Sequence, residues 1–84
     1  MTTDEIKVLI EAGIEAAQVT VNGDNGMFDT TVVSDKFTGL SPVKKQQMVY
    51  AAVNSQITSG EIHALSIKAY TPEEWATASK LLIG

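Results

Sequence analysis

The first twenty residues carry a helical rhythm. Ile6, Leu9, Ile10, Gly13, Ile14 and Ala17 fall at i, i+3, i+4, i+7, i+8 and i+11, the apolar stripe of an amphipathic helix. Thr2 or Thr3 can cap its start, and Thr2 with Glu5 has the spacing of a capping box. Asp4 and Glu5 in the first turn suit the helix dipole. The period then drops to two. Val19 and Val21 alternate with Gln18, Thr20 and Asn22, and Phe28, Thr30 and Val32 alternate with Asp29 and Thr31. Between the two runs lies Gly23-Asp24-Asn25-Gly26, whose Asn-Gly pair tolerates positive φ. Residues 18–34 therefore read as a β-hairpin.

Ser34 to Leu40 reads as a loop ending in Phe37-Thr38-Gly39-Leu40, either docking Phe37 in the core with a turn at Gly39 or serving as a backbone clamp on nucleic acid. Ser41 is a good N-cap with Pro42 at the first helical position. Val49, Tyr50, Val53 and Ile57 form a stripe that runs to a stop at Gly60, and a weak point at Asn54-Ser55 allows either one helix or two short ones. From His63 to Tyr70 alternation returns, with Leu65, Ile67 and Ala69 on one face. Thr71-Pro72-Glu73-Glu74 repeats the helix-start signature, and Trp75, Ala78, Ser79 and Leu82 make the inward stripe of the last helix. The order α-β-β-α-(α)-β-α predicts an α+β domain, a three-stranded mixed sheet with helices packed on one face.

At 84 residues the chain is one domain, 1–84, burying about 60–65% of its unfolded surface. Hydrophobic content of 44% with 19% charged residues fits a globular domain. There is no cysteine, so packing alone holds the fold and a reducing, cytoplasmic setting is expected. Neither a signal peptide nor a membrane-spanning segment is predicted. Six lysines, no arginine and ten acidic residues leave a net charge of −4. That balance disfavours phosphate-driven nucleic-acid binding.

His63 is the single histidine. Without thiols its imidazole is the one borderline metal ligand besides methionine thioether. Transition-metal chemistry must pass through it or borrow ligands from a partner. The residues alone leave open a plainer role, a strand-edge histidine bonded to a backbone carbonyl. Lys44 and Lys45, near a helix start, read either as an anion or nucleic-acid contact or as a solvated face. Tyr70 shares the parity of Ala64, Ser66 and Lys68, opposite Leu65 and Ile67, and is expected at the core edge within reach of a partner. Capping alone explains Glu73 and Glu74, Glu61-x-His63 is too common a pattern to mark a dyad, and no enzyme is predicted.

Three blocks carry a resemblance: Phe37-Thr38-Gly39-Leu40-Ser41-Pro42-Val43-Lys44-Lys45-Gln46-Gln47, Val49-Tyr50, and Ile62-His63-Ala64-Leu65-Ser66-Ile67-Lys68-Ala69-Tyr70-Thr71-Pro72-Glu73-Glu74-Trp75. With the element order they resemble the BolA family, most of all its short IbaG-type members, over nearly the whole chain. The resemblance implies a fold similar to a class II KH domain. It also implies a non-enzymatic adaptor that binds a monothiol glutaredoxin, in iron–sulfur cluster handling or iron homeostasis. A 2Fe-2S cluster would be shared with the glutaredoxin and glutathione. His63 would be one ligand, and imidazole in place of thiolate raises a cluster's reduction potential. The second ligand would come from the hairpin loop, where Met27 stands in the place expected of histidine. A thioether is a weak ligand for such iron, and Asp24 or Asp29 would be unusual ones. The implied partner surface comprises His63, Lys68, Tyr70, Met27 and Asp24. The alternative is a KH-like nucleic-acid-binding transcriptional regulator using Lys44, Lys45 and Lys68, although KH domains use a Gly-x-x-Gly loop and residues 37–40 hold one glycine. Alone, the chain is expected to be a monomer or a weak homodimer.

Overall fold

A computed structural model describes the backbone of residues 1–83 and the side chains of residues 1–80. Helix α1 (Thr3–Gly13) starts at Thr2, whose hydroxyl accepts the Glu5 N–H at 3.2 Å while the Glu5 carboxylate accepts the Thr2 N–H at 2.9 Å. That reciprocal pair is the expected capping box, and it holds the Glu5 carboxyl below its ordinary pKa. Ile6, Ile10 and Ile14 are buried along the predicted stripe. Gly13 contributes by being small: a Cβ there would lie 2.8 Å from the Cβ of Ala52, so the helices approach closely at this point.

Strands β1 (Gln18–Asp24) and β2 (Met27–Val33) form the predicted antiparallel hairpin. Asn25 and Gly26, with φ of 52° and 80°, make the two-residue turn that matches the strand twist. Strand β3 (Ala64–Tyr70) pairs parallel to β2, giving a mixed sheet in the order β1-β2-β3. Parallel neighbours need a crossover. It consists of a 3-10 turn (Asp35–Phe37), α2 (Pro42–Ala52) and α3 (Asn54–Thr58). Phe37 is fully buried and Gly39 turns at a φ of 80°, so this loop packs against the core. Ser41 caps α2 by accepting the Lys44 N–H at 3.3 Å.

Of the two readings of the 41–60 stripe, the broken one holds: Val53 leaves helical geometry at φ −124° and separates α2 from α3. Tyr50 departs from the expected inward stripe. It is 40% exposed, and its hydroxyl reaches the Leu65 carbonyl at 3.4 Å. Gln46 donates to the Ile67 carbonyl at 3.2 Å. These two α2 side chains thus occupy edge carbonyls that β3 would otherwise leave bare.

The sheet has two unlike faces. Val19, Phe28, Thr30, Val32 and Ile67 are buried beneath α1 and α2, and the Thr30 hydroxyl is satisfied by the Thr20 carbonyl at 2.9 Å. Thr20, Asn22, Asp29, Ser66 and Lys68 face outward and are exposed.

Helix α4 (Pro72–Ile83) starts on a second capping box: Thr71 N–H to Glu74 Oε1 at 2.8 Å and Glu74 N–H to Thr71 Oγ1 at 3.2 Å. Trp75, Ala78 and Ser79 are half-buried as the stripe predicts. Leu82 lies outside the described side chains. The Trp75 ring packs on Tyr70 with centroids 5.4 Å apart.

Lys45 requires a correction. It is buried at 8% exposure, with its Nζ 2.7 Å from Glu74 Oε1. An ammonium with this little water needs a carboxylate, so Lys45 clasps α2 to α4 and does not stand on an open anion-binding face. Glu74, in turn, does more than cap. Its carboxyl is held below the ordinary value, first by the Lys45 hydrogen bond and then by the Thr71 N–H. A folded-state pKa that is depressed contributes stability above the unfolded value, and that contribution is lost as pH falls through the folded one. Fluorescence of Trp75, the single tryptophan, is expected to change on acidification with a midpoint below 4.5, the carboxyl's ordinary value. Glu74→Gln should abolish the transition; an unaltered transition would place the titrating group elsewhere.

Candidate functional site

The site begins at a buried anchor. After the turn at Gly60, with φ of 85°, Ile62 is 2% exposed and donates its N–H to the Gln56 carbonyl at 3.1 Å. With residue 62 fixed in the core, residue 63 emerges at the mouth of β3, against the hairpin turn. The Gly26 carbonyl accepts two N–H groups there, from His63 at 2.6 Å and from Ala64 at 3.0 Å. The His63 ring lies over Gly26. A Cβ on that glycine would collide with ring Cδ2 and stand 3.0 Å from Cγ and 3.2 Å from Nε2.

His63 is exposed, and neither ring nitrogen has a hydrogen-bond partner among the described residues. The plainer reading, a ring tied to its own backbone, therefore does not describe this residue. Its main chain is bonded and its imidazole is free to meet something else.

The sheet register brings part of the expected surface together. Met27 pairs with Asp24 on one side and with Ala64 on the other, one rung from the Gly26–His63 contact. Met27 is 65% exposed. Asp29 and Ser66 occupy the next outward rung, and Lys68 follows on the same face, roughly 13 Å along the strand from Ala64 by strand rise. Tyr70 is not part of this cluster. It sits about 20 Å from Ala64 along the strand, half-buried against Trp75, with its carbonyl taken by the Ser34 N–H at 3.0 Å. Lys44 is exposed beside the buried Lys45, so the lysine pair is divided between surface and clasp. Pattern reading missed Gly26: Asn-Gly announces a turn, and nothing in that dipeptide says which side chain will lie on it.

The donor set is sparse. Among the described residues no three His, Cys, Asp or Glu side chains gather as a metal site. His63 is the one side chain of this cluster whose chemistry suits a transition metal, as a single ligand. The adjacent position offers a thioether and neighbouring carboxylates, which suit iron–sulfur iron poorly. Among the described residues no helix is long and apolar enough to cross a membrane.

The sequence model for BolA-like proteins matches residues 3–74. Acid stress protein IbaG of Escherichia coli strain K12 is 43% identical over 81 residues, covering 96% of each chain. A bolA protein homologue from Coxiella burnetii superposes with a TM-score of 0.81 at 38% identity, over 90% of this chain and 97% of that one. The BolA domain of SufE1 from Arabidopsis thaliana superposes with a TM-score of 0.73 at 31% identity, over 86% and 93% respectively.

Proposed function

As the chain belongs to the BolA family, we propose that it is a non-enzymatic adaptor that binds a monothiol glutaredoxin and presents His63 to an iron–sulfur cluster held by that partner. The observation that carries this reading is the exposed imidazole, unpaired at both ring nitrogens among the described residues, on a main chain held by the His63 and Ala64 N–H groups at the Gly26 carbonyl. A ligand contributed to a shared centre has to be held by its own chain and left open to the other. The docking surface would run from the hairpin tip, with Asp24 and Met27, across Ala64 to Lys68. Tyr70 would take part only in a partner that spans the length of β3. A reducing, cytoplasmic setting suits a partner that works through thiolates.

The nucleic-acid alternative draws less support. Of its three lysines, Lys45 is buried on Glu74, leaving Lys44 and Lys68 on a chain of net charge −4. Two phosphate contacts supply little affinity at physiological salt.

Mixing the chain with a cluster-loaded monothiol glutaredoxin should give a complex on size exclusion and a changed visible absorption and circular dichroism spectrum, since replacing a thiolate by imidazole alters the iron. His63→Ala should bind with the fold intact and leave the glutaredoxin spectrum unaltered. No complex and no spectral change with the native chain would end this proposal.

A further inference from the structure

We infer that Gly26 is the positioning residue for His63, so that hairpin tip and imidazole act as one rigid unit. Two independent features of Gly26 point there. Its carbonyl accepts the N–H groups of both His63 and Ala64, which fixes the backbone that carries the ring. Its missing side chain leaves the space the ring occupies, because a Cβ would run into Cδ2. The turn explains one glycine property, positive φ, which asparagine also tolerates. It does not explain the second property, an α-carbon bare on the side facing the imidazole. The ring is exposed, so a Cβ at residue 26 would push it aside more readily than it would unfold the hairpin. The expected result is a folded protein whose imidazole points elsewhere.

The functional consequence rests on the adaptor reading; the geometry does not. Gly39 supplies a matched control. It has the same φ of 80°, yet a Cβ there meets nothing within 4 Å. Gly26→Ala and Gly39→Ala therefore impose a similar backbone penalty and differ in what the new methyl touches.

His63 is the single histidine, so its ring resonances are unambiguous in proton–carbon NMR spectra. The native chain and Gly39→Ala should show a nuclear Overhauser contact between the Gly26 α-protons and His63 Hδ2. Gly26→Ala should lose the contact at residue 26 and shift both ring protons, with a thermal midpoint near that of Gly39→Ala. If Gly26→Ala does not fold, Gly26→Asn tests the same point, because asparagine keeps the turn and still carries a Cβ. Glutaredoxin affinity should fall about tenfold for the residue 26 variants and stay native for Gly39→Ala, a loss on the scale of one displaced central contact. A native chain without the contact, or residue 26 variants with native ring resonances, would overturn the inference. The NMR changes as expected, with no glutaredoxin binding by the native chain, would keep the positioning role and remove the adaptor reading.

Discussion

Phe37→Ala is expected to lower stability by about 3–5 kcal/mol, the range for deleting a fully enclosed aromatic side chain. Phe37 is 0% exposed and belongs to a core cluster to which α1, the sheet and α2 all contribute. It also sits where the chain has least regular structure, in the three-residue 3-10 turn between β2 and α2. Its backbone is tied locally, N–H to the Ser34 carbonyl at 3.2 Å and carbonyl to the Leu40 N–H at 3.0 Å. Those bonds shape the turn, but the ring is what holds the turn to the core. A domain of this length has of the order of 4–13 kcal/mol in hand. The substitution therefore consumes about a quarter of that reserve at the least and all of it at the worst. Urea unfolding followed by far-ultraviolet circular dichroism should show the midpoint falling by more than 1 M, with slopes near 1 kcal/mol per M for a chain this small. Val43→Ala, at a residue 65% exposed, should move it by less than about 0.5 kcal/mol. A loss under 1 kcal/mol for Phe37→Ala would mean that the loop, not its ring, is the unit that packs.

Much of this architecture can be read from short-range pattern, because short-range rules made it. The capping boxes at Thr2–Glu5 and Thr71–Glu74 follow from backbone N–H groups that need acceptors within one helical turn. The hairpin follows from alternation on either side of Asn25-Gly26. What pattern does not carry is the partner of a side chain across sequence. Lys45 and Lys44 look alike as neighbours on a helix, yet one is buried on a carboxylate 29 residues away and the other is exposed. Tyr50 matches the spacing of the apolar stripe, but its hydroxyl carries it to the Leu65 carbonyl at the sheet edge. The candidate site shows the same division. His63 stands out in composition as the lone imidazole; that Gly26 lies beneath it is a property of the parallel β2–β3 register, which joins residues more than 35 positions apart. Tyr70 is half-buried at the core edge, as its parity suggests, but it lies far along β3 from His63, because shared strand parity fixes a face, not a distance along it.

Met27→His is expected to lengthen the lifetime of the cluster in the complex with a monothiol glutaredoxin by at least about tenfold, the scale on which improved ligand sets change metal affinity. Residue 27 is well placed to show this. It is 65% exposed, its backbone is locked in register with Asp24 and Ala64, and it stands one rung from the Gly26–His63 contact. A thioether there offers iron a soft, uncharged and weak donor; imidazole is a stronger one and can be held by a second hydrogen bond. The exchange replaces a side chain that makes no core contact, so stability should change by less than about 0.5 kcal/mol. Decay of visible absorption in the mixed complex measures the lifetime, with unfolding curves run in parallel. The gain should depend on the neighbour: in His63→Ala/Met27→His most of it should vanish, since two ligands to one iron act together and their effects do not add. A lifetime unchanged by Met27→His would mean that the hairpin tip does not face the iron, and His63 would then be a contact beside the cluster and not a ligand to it. A gain that survives His63→Ala would reverse the assignment, making residue 27 the position that meets the iron and leaving the imidazole to the protein interface.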